Sequence, residues 1–263
     1  MADHSTSMIS IDGCRIRLMR GGSGAPMLFL HGGGGVGIWL PCMARLARKL
    51  DMLAPEHPGF GDSDTPEWLD TIGDLVNFYL EFLDQLDLRE VHLVGSSLGG
   101  WIAAELAVRN ASRLASLTLV GAAGIHVKDV AQVDPFLNTE EQRIRDLFYD
   151  QELAEAVVAS TERPEMQDAA LKNLTATARL AWQPRNHDPH LRKWLHRIKL
   201  PTLLIWGADD RLFPREYAFV YQQLIPGSKA VILPECGHLP HVEKGDAFAA
   251  ELEAFIGTMR IAA

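Results

Sequence analysis

Gly95-Ser96-Ser97-Leu98-Gly99 sets a serine between two glycines in G-x-S-x-G spacing, the arrangement in which a hydroxyl nucleophile stands exposed on a tight turn. A serine hydroxyl reacts poorly unless a neighbouring base takes its proton, so an imidazole and a group to orient it are needed. His238, directly after Gly237, supplies an imidazole, and Asp209 and Asp210, after Gly207-Ala208, supply two adjacent carboxylates. A glycine run, Gly32 to Gly35 behind His31, can turn backbone N–H groups toward a developing oxyanion. Gly33 is the first choice for that donor and Gly34 the second, with the Leu98 N–H as the other half of the hole.

Glycine-serine pairs also fill ordinary loops, so the motif depends on its flanks. Val91, Leu93 and Val94 make a short β-branched run before it; Ile102, Ala103, Leu106 and Ala107 recur at helical spacing after it. Ser97 therefore falls at a strand-to-helix turn, where unpaired helix N–H groups favour negative charge. The glycine run likewise follows a compact strand, Met27-Leu28-Phe29-Leu30, and precedes a helix expected over Trp39 to Leu50. No Lys-Ser or Lys-Thr follows the run, which disfavours a phosphate cradle. His31 is expected to brace the loop by hydrogen bonding.

The remaining elements place these groups at strand ends. Met8 to Arg20 reads as two strands around an Asp12-Gly13 hairpin turn. Asp51 to Ala54 begins another strand, and the turn-rich His57-Pro58-Gly59-Phe60-Gly61-Asp62-Ser63 ends it. A helix is expected over Thr71 to Leu86, and strands over Leu114 to Val120, Pro201 to Trp206 and Ala230 to Leu233, with helices at Arg215 to Leu224 and Asp246 to Ile256. Strands alternating with helices predict a mostly parallel sheet whose reacting groups gather beyond the strands' carboxyl ends. Ser97, one of Asp209 or Asp210, and His238 follow three of those ends in the chain order Ser, Asp, His.

From about Ile125 to Leu195 the strand rhythm stops, and helical segments such as Asn138 to Phe148 and Glu165 to Leu180 take over. The chain thus divides into a core, residues 1–124 and 196–263, and an inserted helical cap, residues 125–195. Phe136, Phe148, Tyr149, Met166, Leu180 and Trp182 are candidates either to line an acyl pocket or to pack the cap. Arg185, His187, Asp188 and His190 lack the spacing and companion ligands of a metal site, and a salt-bridged hinge is expected there.

With 263 residues, 47% of them hydrophobic, the chain can bury a substantial core. Its net charge of −9 and lack of a dense basic stripe argue against nucleic acid or an anionic membrane as partner. Cys14, Cys42 and Cys236 are too scattered for a disulfide framework. They fit a reducing cytoplasm. The start MADHSTSMIS lacks a secretory pattern, and no apolar run approaches a membrane span.

His31-Gly32-Gly33-Gly34, His57 to Ser63, Gly95 to Gly100, Gly207-Ala208-Asp209-Asp210 with Pro214, and Gly237-His238 together resemble the α/β-hydrolase superfamily. The likeness is to its capped members, whose insertion follows the sixth core strand. It implies an eight-stranded, mostly parallel sheet with helices on both faces. The family's acid motif, G-x-x-D with proline four residues after the acid, selects Asp210 over Asp209, which becomes a helix cap or surface residue. The resemblance further implies Ser97 as nucleophile, His238 as general base, the Gly33 and Leu98 N–H groups as the oxyanion hole, and no cofactor.

Dehalogenases and epoxide hydrolases of the superfamily carry aspartate at the position of Ser97, so an acyl-enzyme is favoured over an alkyl-enzyme. The meta-cleavage-product C–C hydrolases use serine, yet typically place Asn before it and Trp after the histidine; this chain has Ser96 and Leu239. Hydrolysis of a small carboxylic ester is therefore the primary expectation. The alternatives are C–C hydrolysis of a vinylogous diketone, perhydrolysis with peroxide as acceptor, and a non-catalytic ligand-binding role.

Overall fold

The computed structural model describes residues 4–161 and 163–261. Met1 to Asp3, Ala262 and Ala263, assigned above to the core, and Glu162, assigned to the cap, lie outside them. The chain opens with β1 (His4–Ile11) and β2 (Cys14–Gly22), an antiparallel hairpin closed by Asp12 and Gly13 at φ 46° and 78°. Positive φ at both central residues gives the two-residue turn whose twist matches the strands. β3 (Ala25–Leu30), α1 (Pro41–Leu46), β4 (Leu50–Pro55), α2 (Ile72–Gln85), β5 (Val91–Ser96), α3 (Leu98–Arg109) and β6 (Leu114–Val120) follow.

Four helices come next: α4 (Glu140–Leu147), α5 (Gln151–Thr161), α6 (Pro164–Ala181) and α7 (Leu191–Trp194), the last continued by a 3-10 turn, Leu195–Arg197. β7 (Thr202–Gly207), α8 (Glu216–Leu224), β8 (Lys229–Leu233), α9 (Pro240–Glu243) and α10 (Gly245–Ile261) complete the chain.

The eight strands form one sheet in the order β1-β2-β4-β3-β5-β6-β7-β8. The β1·β2 and β2·β4 pairs are antiparallel and all others parallel. The chain moves outward from β3 to β4 and returns to the other side of β3 as β5, so the strand order reverses between β3 and β5. A crevice opens there beyond the carboxyl ends. The Gly32 to Gly35 loop follows β3 and Ser97 follows β5.

Two apolar layers sandwich the sheet. One joins Leu75, Val76, Tyr79 and Phe82 of α2 to Ile102 and Leu106 of α3 and Tyr217 of α8; the other joins Met43 of α1 to Phe248, Leu252 and Ile256 of α10. The inner strands β5 and β7 are wholly buried, as strands covered on both faces must be, whereas the edge strand β1 is largely exposed. Helix α2 begins at a reciprocal capping box in which the Thr71 hydroxyl accepts from the Asp74 N–H and the Asp74 carboxylate reaches back.

The helix expected over Trp39 to Leu50 is a correction. It spans only Pro41–Leu46. Proline fits a helix's first turn, which sets the start; the end comes because Leu50 is claimed by β4, where it pairs with Ala25. Trp39 instead stacks on His4 at 4.7 Å. Between β6 and β7 the described residues contribute helices α4 to α7 and no strand of the sheet. Among the described residues no helix is long and apolar enough to cross a membrane.

Candidate active site

The turn after β5 holds Ser97 at φ 54°, ψ −116°, a region that costs an L-residue of order 1–3 kcal/mol and persists only when its surroundings enforce it. The enforcement is visible. The Ser97 N–H donates to Val120 O at 2.9 Å, and Ser97 O accepts from Ala123 N and Trp101 N, each at 3.1 Å. A Cβ on Gly95 would lie 2.3 Å from Gly99 O, and one on Gly99 would lie 2.1 Å from Leu30 O. The motif's two glycines are thus the points where helix α3 meets β5 and the end of β3 backbone to backbone. Ser97 is partly exposed while its neighbours from Val91 to Gly100 are buried.

Backbone contact also explains the other two motifs. A Cβ on Gly207 would sit 1.9 Å from Gly237 O, so the ends of β7 and β8 touch there. The Asp209 N–H donates to Cys236 O at 2.9 Å across the same join. Asp210 turns inward and Asp209 outward. Asp210 Oδ2 accepts from His238 Nδ1 at 2.8 Å, and Oδ1 accepts from the Leu212 and Phe213 N–H groups, each at 2.9 Å. The Asp210 side chain is 0% exposed and that of His238 2%. With the Asp210 carboxylate accepting at Nδ1, that nitrogen carries the ring proton of His238, and His238 Nε2 has no hydrogen-bond partner among the described residues.

Gly121, the residue after Val120, connects this pair to the serine. At φ 50° it would place a Cβ 3.0 Å from His238 O and 3.2 Å from Asp210 Oδ2. Because the preceding Val120 carbonyl holds the Ser97 N–H, the acid–base pair and the serine backbone both lie against the end of β6, with no hydrogen bond between the Ser97 hydroxyl and His238 Nε2. The sequence reading passed over Gly121, which carries no motif of its own.

The loop after β3 approaches Ser97 from the other side. A Cβ on Gly32 would fall 3.0 Å from Ser97 Cβ, and the Gly35 N–H closes the turn on Gly32 O at 3.1 Å. His31 braces the loop as expected: its Nε2 accepts the His57 N–H at 2.9 Å and its Nδ1 meets Gly32 O at 2.7 Å, while His57 Nε2 meets His31 O at 2.9 Å. Burial lowers both rings, His57 to about 4 and His31 well below its ordinary value. These two histidines stay neutral and serve as struts.

Two of the helices between β6 and β7, α4 and α6, are tied to the loops around this crevice by polar contacts. Leu147 O accepts the His238 N–H at 2.7 Å. Lys172 of α6 donates to Gly61 O and Ser63 O, each at 2.7 Å, and Thr177 and Asn173 reach the carbonyls of Gly33 and Gly34. Neither Asn173 nor Thr177 was singled out from the sequence. Of the six candidate lining residues, Phe148 and Leu180 are buried, Phe136 is partly buried against Trp182, and Tyr149, Met166 and Trp182 are close to half exposed.

Arg185 forms a two-pronged bridge to Asp134 and lies over the Trp182 ring at 4.1 Å. Its partner is outside the cluster read from the sequence; within that cluster His190 makes local contacts, while the Asp188 N–H donates to Gly124 O at 3.1 Å and the His187 ring lies 5.4 Å from that of His126. Among the described residues no group of three or more His, Cys, Asp or Glu side chains is arranged to hold a metal ion.

The profile described as the alpha/beta hydrolase family matches residues 27–251. A 2-hydroxy-6-oxo-2,4-heptadienoate hydrolase of Pseudomonas putida is 29% identical, with 95% of each chain covered. The dihydrolipoyllysine-residue acetyltransferase component of the acetoin cleaving system of Cupriavidus necator is 27% identical over 94% of this chain and 68% of its own. Among solved structures, a membrane phospholipase A described as a bacterial virulence factor superposes with TM-score 0.78 at 27% identity, over 98% of this chain and 87% of the other.

Proposed function

The chain belongs to the alpha/beta hydrolase family, and we propose that within it the protein is a serine hydrolase that cleaves a small, neutral carboxylic ester through an acyl-enzyme. The observation that carries the reading is the buried Asp210–His238 pair with its unpartnered Nε2, together with a strained, partly exposed Ser97 whose N–H is held by Val120 at the end of the strand that the pair packs against. In the proposed cycle Ser97 Oγ attacks the ester carbonyl and passes its proton to His238 Nε2. Asp210 holds Nδ1–H and stabilises the imidazolium. The oxyanion is received by the Leu98 N–H and that of Gly33, with Gly34 the second choice. His238 then protonates the departing alcohol, and water activated by the same ring releases the acid.

Residues 125–195 serve in this reading as a cap over the core, and the three buried, free cysteines fit a reducing cytoplasm. A neutral substrate is consistent with the engagement of three of the cap's cations. Lys172 is spent on two carbonyls, Arg179 on Asp70 and Arg185 on Asp134. An anionic dienoate would have to compete with those partners.

The second reading, C–C hydrolysis of a vinylogous diketone, is favoured by the dienoate hydrolase among the relatives; Ser96 and Leu239 weigh against it. Release of p-nitrophenol from acyl esters of increasing length, beside cleavage of a vinylogous diketone, decides between them in wild type and Ser97→Ala. Ester turnover that depends on acyl length and vanishes in the alanine variant is the expected outcome. Diketone cleavage without ester turnover moves the protein to the C–C branch. Stoichiometric retention of the ester without turnover assigns a binding role, and peroxide-dependent halogenation assigns perhydrolysis.

A further inference from the structure

We infer that Asn173 and Thr177 of α6 are positioning residues for the oxyanion loop, which holds its working geometry only while that helix is seated on it. The inference rests on the proposed roles of Ser97 and the Gly33–Gly34 loop.

The Asn173 side chain is 8% exposed and ties three segments at once. Its Oδ1 accepts the Gly61 N–H at 2.9 Å, and its Nδ2 donates to Gly34 O at 2.9 Å. The orientation of the amide follows from the partners, since a backbone N–H can only donate and a carbonyl only accept. One turn along α6, the Thr177 hydroxyl donates to Gly33 O at 3.2 Å.

A trans peptide points its C=O and N–H in opposite directions, so holding a carbonyl aims the N–H of the next residue. Thr177, by fixing Gly33 O, aims the Gly34 N–H. Asn173, by fixing Gly34 O, aims the Gly35 N–H, which closes on Gly32 O at 3.1 Å and so fixes the peptide that carries the Gly33 N–H. The Gly34 donor is therefore set from α6 directly, and the Gly33 donor jointly by α6 and by His31, whose Nδ1 meets the same Gly32 O at 2.7 Å.

The glycines are the seat of that helix as well as a source of free N–H groups. A Cβ on Gly33 would come within 2.8 Å of Thr177 Oγ1, and one on Gly35, at φ 87°, within 2.7 Å of Asn173 Nδ2. No other residue lets α6 come so close. Lys172 meanwhile anchors α6 to the turn around Gly61 and Ser63 without touching the glycine loop. Removing Asn173 or Thr177 therefore leaves the helix docked and loosens the loop.

The test follows phosphonylation of Ser97 by a fluorophosphonate. The Ser97 Oγ–P bond forms, the P–F bond breaks, fluoride leaves, the serine proton passes to His238, and the phosphoryl oxygen occupies the oxyanion position. Thr177→Val and Asn173→Leu are each expected to slow labelling about 10-fold and the pair about 100-fold, a misaimed donor costing less than the roughly 10²–10³ of a deleted one. In ester turnover kcat falls by the same factors while KM stays within about twofold, the mark of an interaction made only in the transition state. Thr177→Ser restores the wild-type rate.

A packing role instead raises KM or lowers the melting temperature at unchanged kcat and labelling rate, and that result overturns the inference. If Asn173→Leu does not fold, Thr177→Val, which keeps the side-chain shape, decides alone. Wild type that labels while both variants label equally fast sinks only the inference. Wild type that fails to label, or labels equally in Ser97→Ala, removes the serine mechanism and the inference together.

Discussion

The strand ends that carry Ser97, Asp210 and His238 and the helices that cover them are held by different forces. At the strand ends, backbone meets backbone with no room for a side chain: Gly99 against Leu30, Gly207 against Gly237, Gly121 against His238. Both faces of the sheet beneath are closed by large apolar clusters. The helices between β6 and β7 own a cluster with only Ile144, Phe148 and Ala154 buried, although Ala176, Leu180 and Ala181 of α6 and Leu191 of α7 join the core layer. Leu137 and Leu171 stand 76% and 65% exposed, and most ties to the core are single hydrogen bonds or partly exposed ion pairs. The difference separates two tasks. The strand-end groups sit where steric exclusion fixes them, and the helices between β6 and β7 sit where weaker contacts allow repacking; in the proposed cycle the first would carry the chemistry and the second would admit the substrate.

The sharpest probe of the rigid region is the pair of adjacent acids. Asp210→Asn replaces an acceptor that holds the proton on His238 Nδ1, and the wrong tautomer costs about 10⁴ in kcat where such a carboxylate has been neutralised. Asp209→Asn changes an exposed side chain whose backbone N–H carries its only role in the join, and its kcat is expected within about twofold of wild type. Steady-state rates on the best p-nitrophenyl ester check both. Comparable losses at the two positions would mean that the acid is shared and the geometry does not single out Asp210.

That pair also marks how far the amino-acid sequence reaches. Residue types alone leave Asp209 and Asp210 equivalent; family spacing selects Asp210, and the fold places it on His238. The motif glycines are legible because each is compelled by a backbone approach that any Cβ would block, so their spacing survives in one dimension. Asn173 is not legible. Its partners lie 112 and 139 residues away, and a polar residue inside a helical pattern carries no sign of which carbonyl it meets. Arg185 reads as part of a local polar cluster, but its partner Asp134 lies 51 residues upstream, where no periodicity points. The overlong helix through Leu50 fails for a related reason: strand pairing with Ala25 outranks local helical spacing.

Stability separates the same two environments with glycine as the probe. Gly99→Ala must fit a methyl 2.1 Å from Leu30 O and 2.5 Å from His31 O, both backbone atoms that cannot rotate away. A loss of more than about 4 kcal/mol is expected, the range reserved for such clashes, seen as a large drop in the urea midpoint or as failure to fold. Gly34→Ala meets nothing within 4 Å and is expected within about 1 kcal/mol of wild type. Equal losses would show that the oxyanion loop is packed as tightly as the elbow.

The smallest effect is expected in the covering helices, at Arg185. Its guanidinium bridges Asp134 with both side chains about 30% exposed, and it stacks on Trp182 and Phe136. An exposed pair contributes about 0–1 kcal/mol and a cation over an aromatic ring a further 0.5–1 kcal/mol or so at such a site. Arg185→Met keeps the apolar stem against Trp182 and removes the charge, so a loss near 1 kcal/mol is expected, shrinking as salt is added. A double-mutant cycle with Asp134→Asn isolates the ion pair from the stacking. A coupling above about 3 kcal/mol, insensitive to salt, would place this bridge among the buried pairs. The covering helices would then be fixed as firmly as the strand ends, and the freedom to repack around different substrates would have to reside elsewhere.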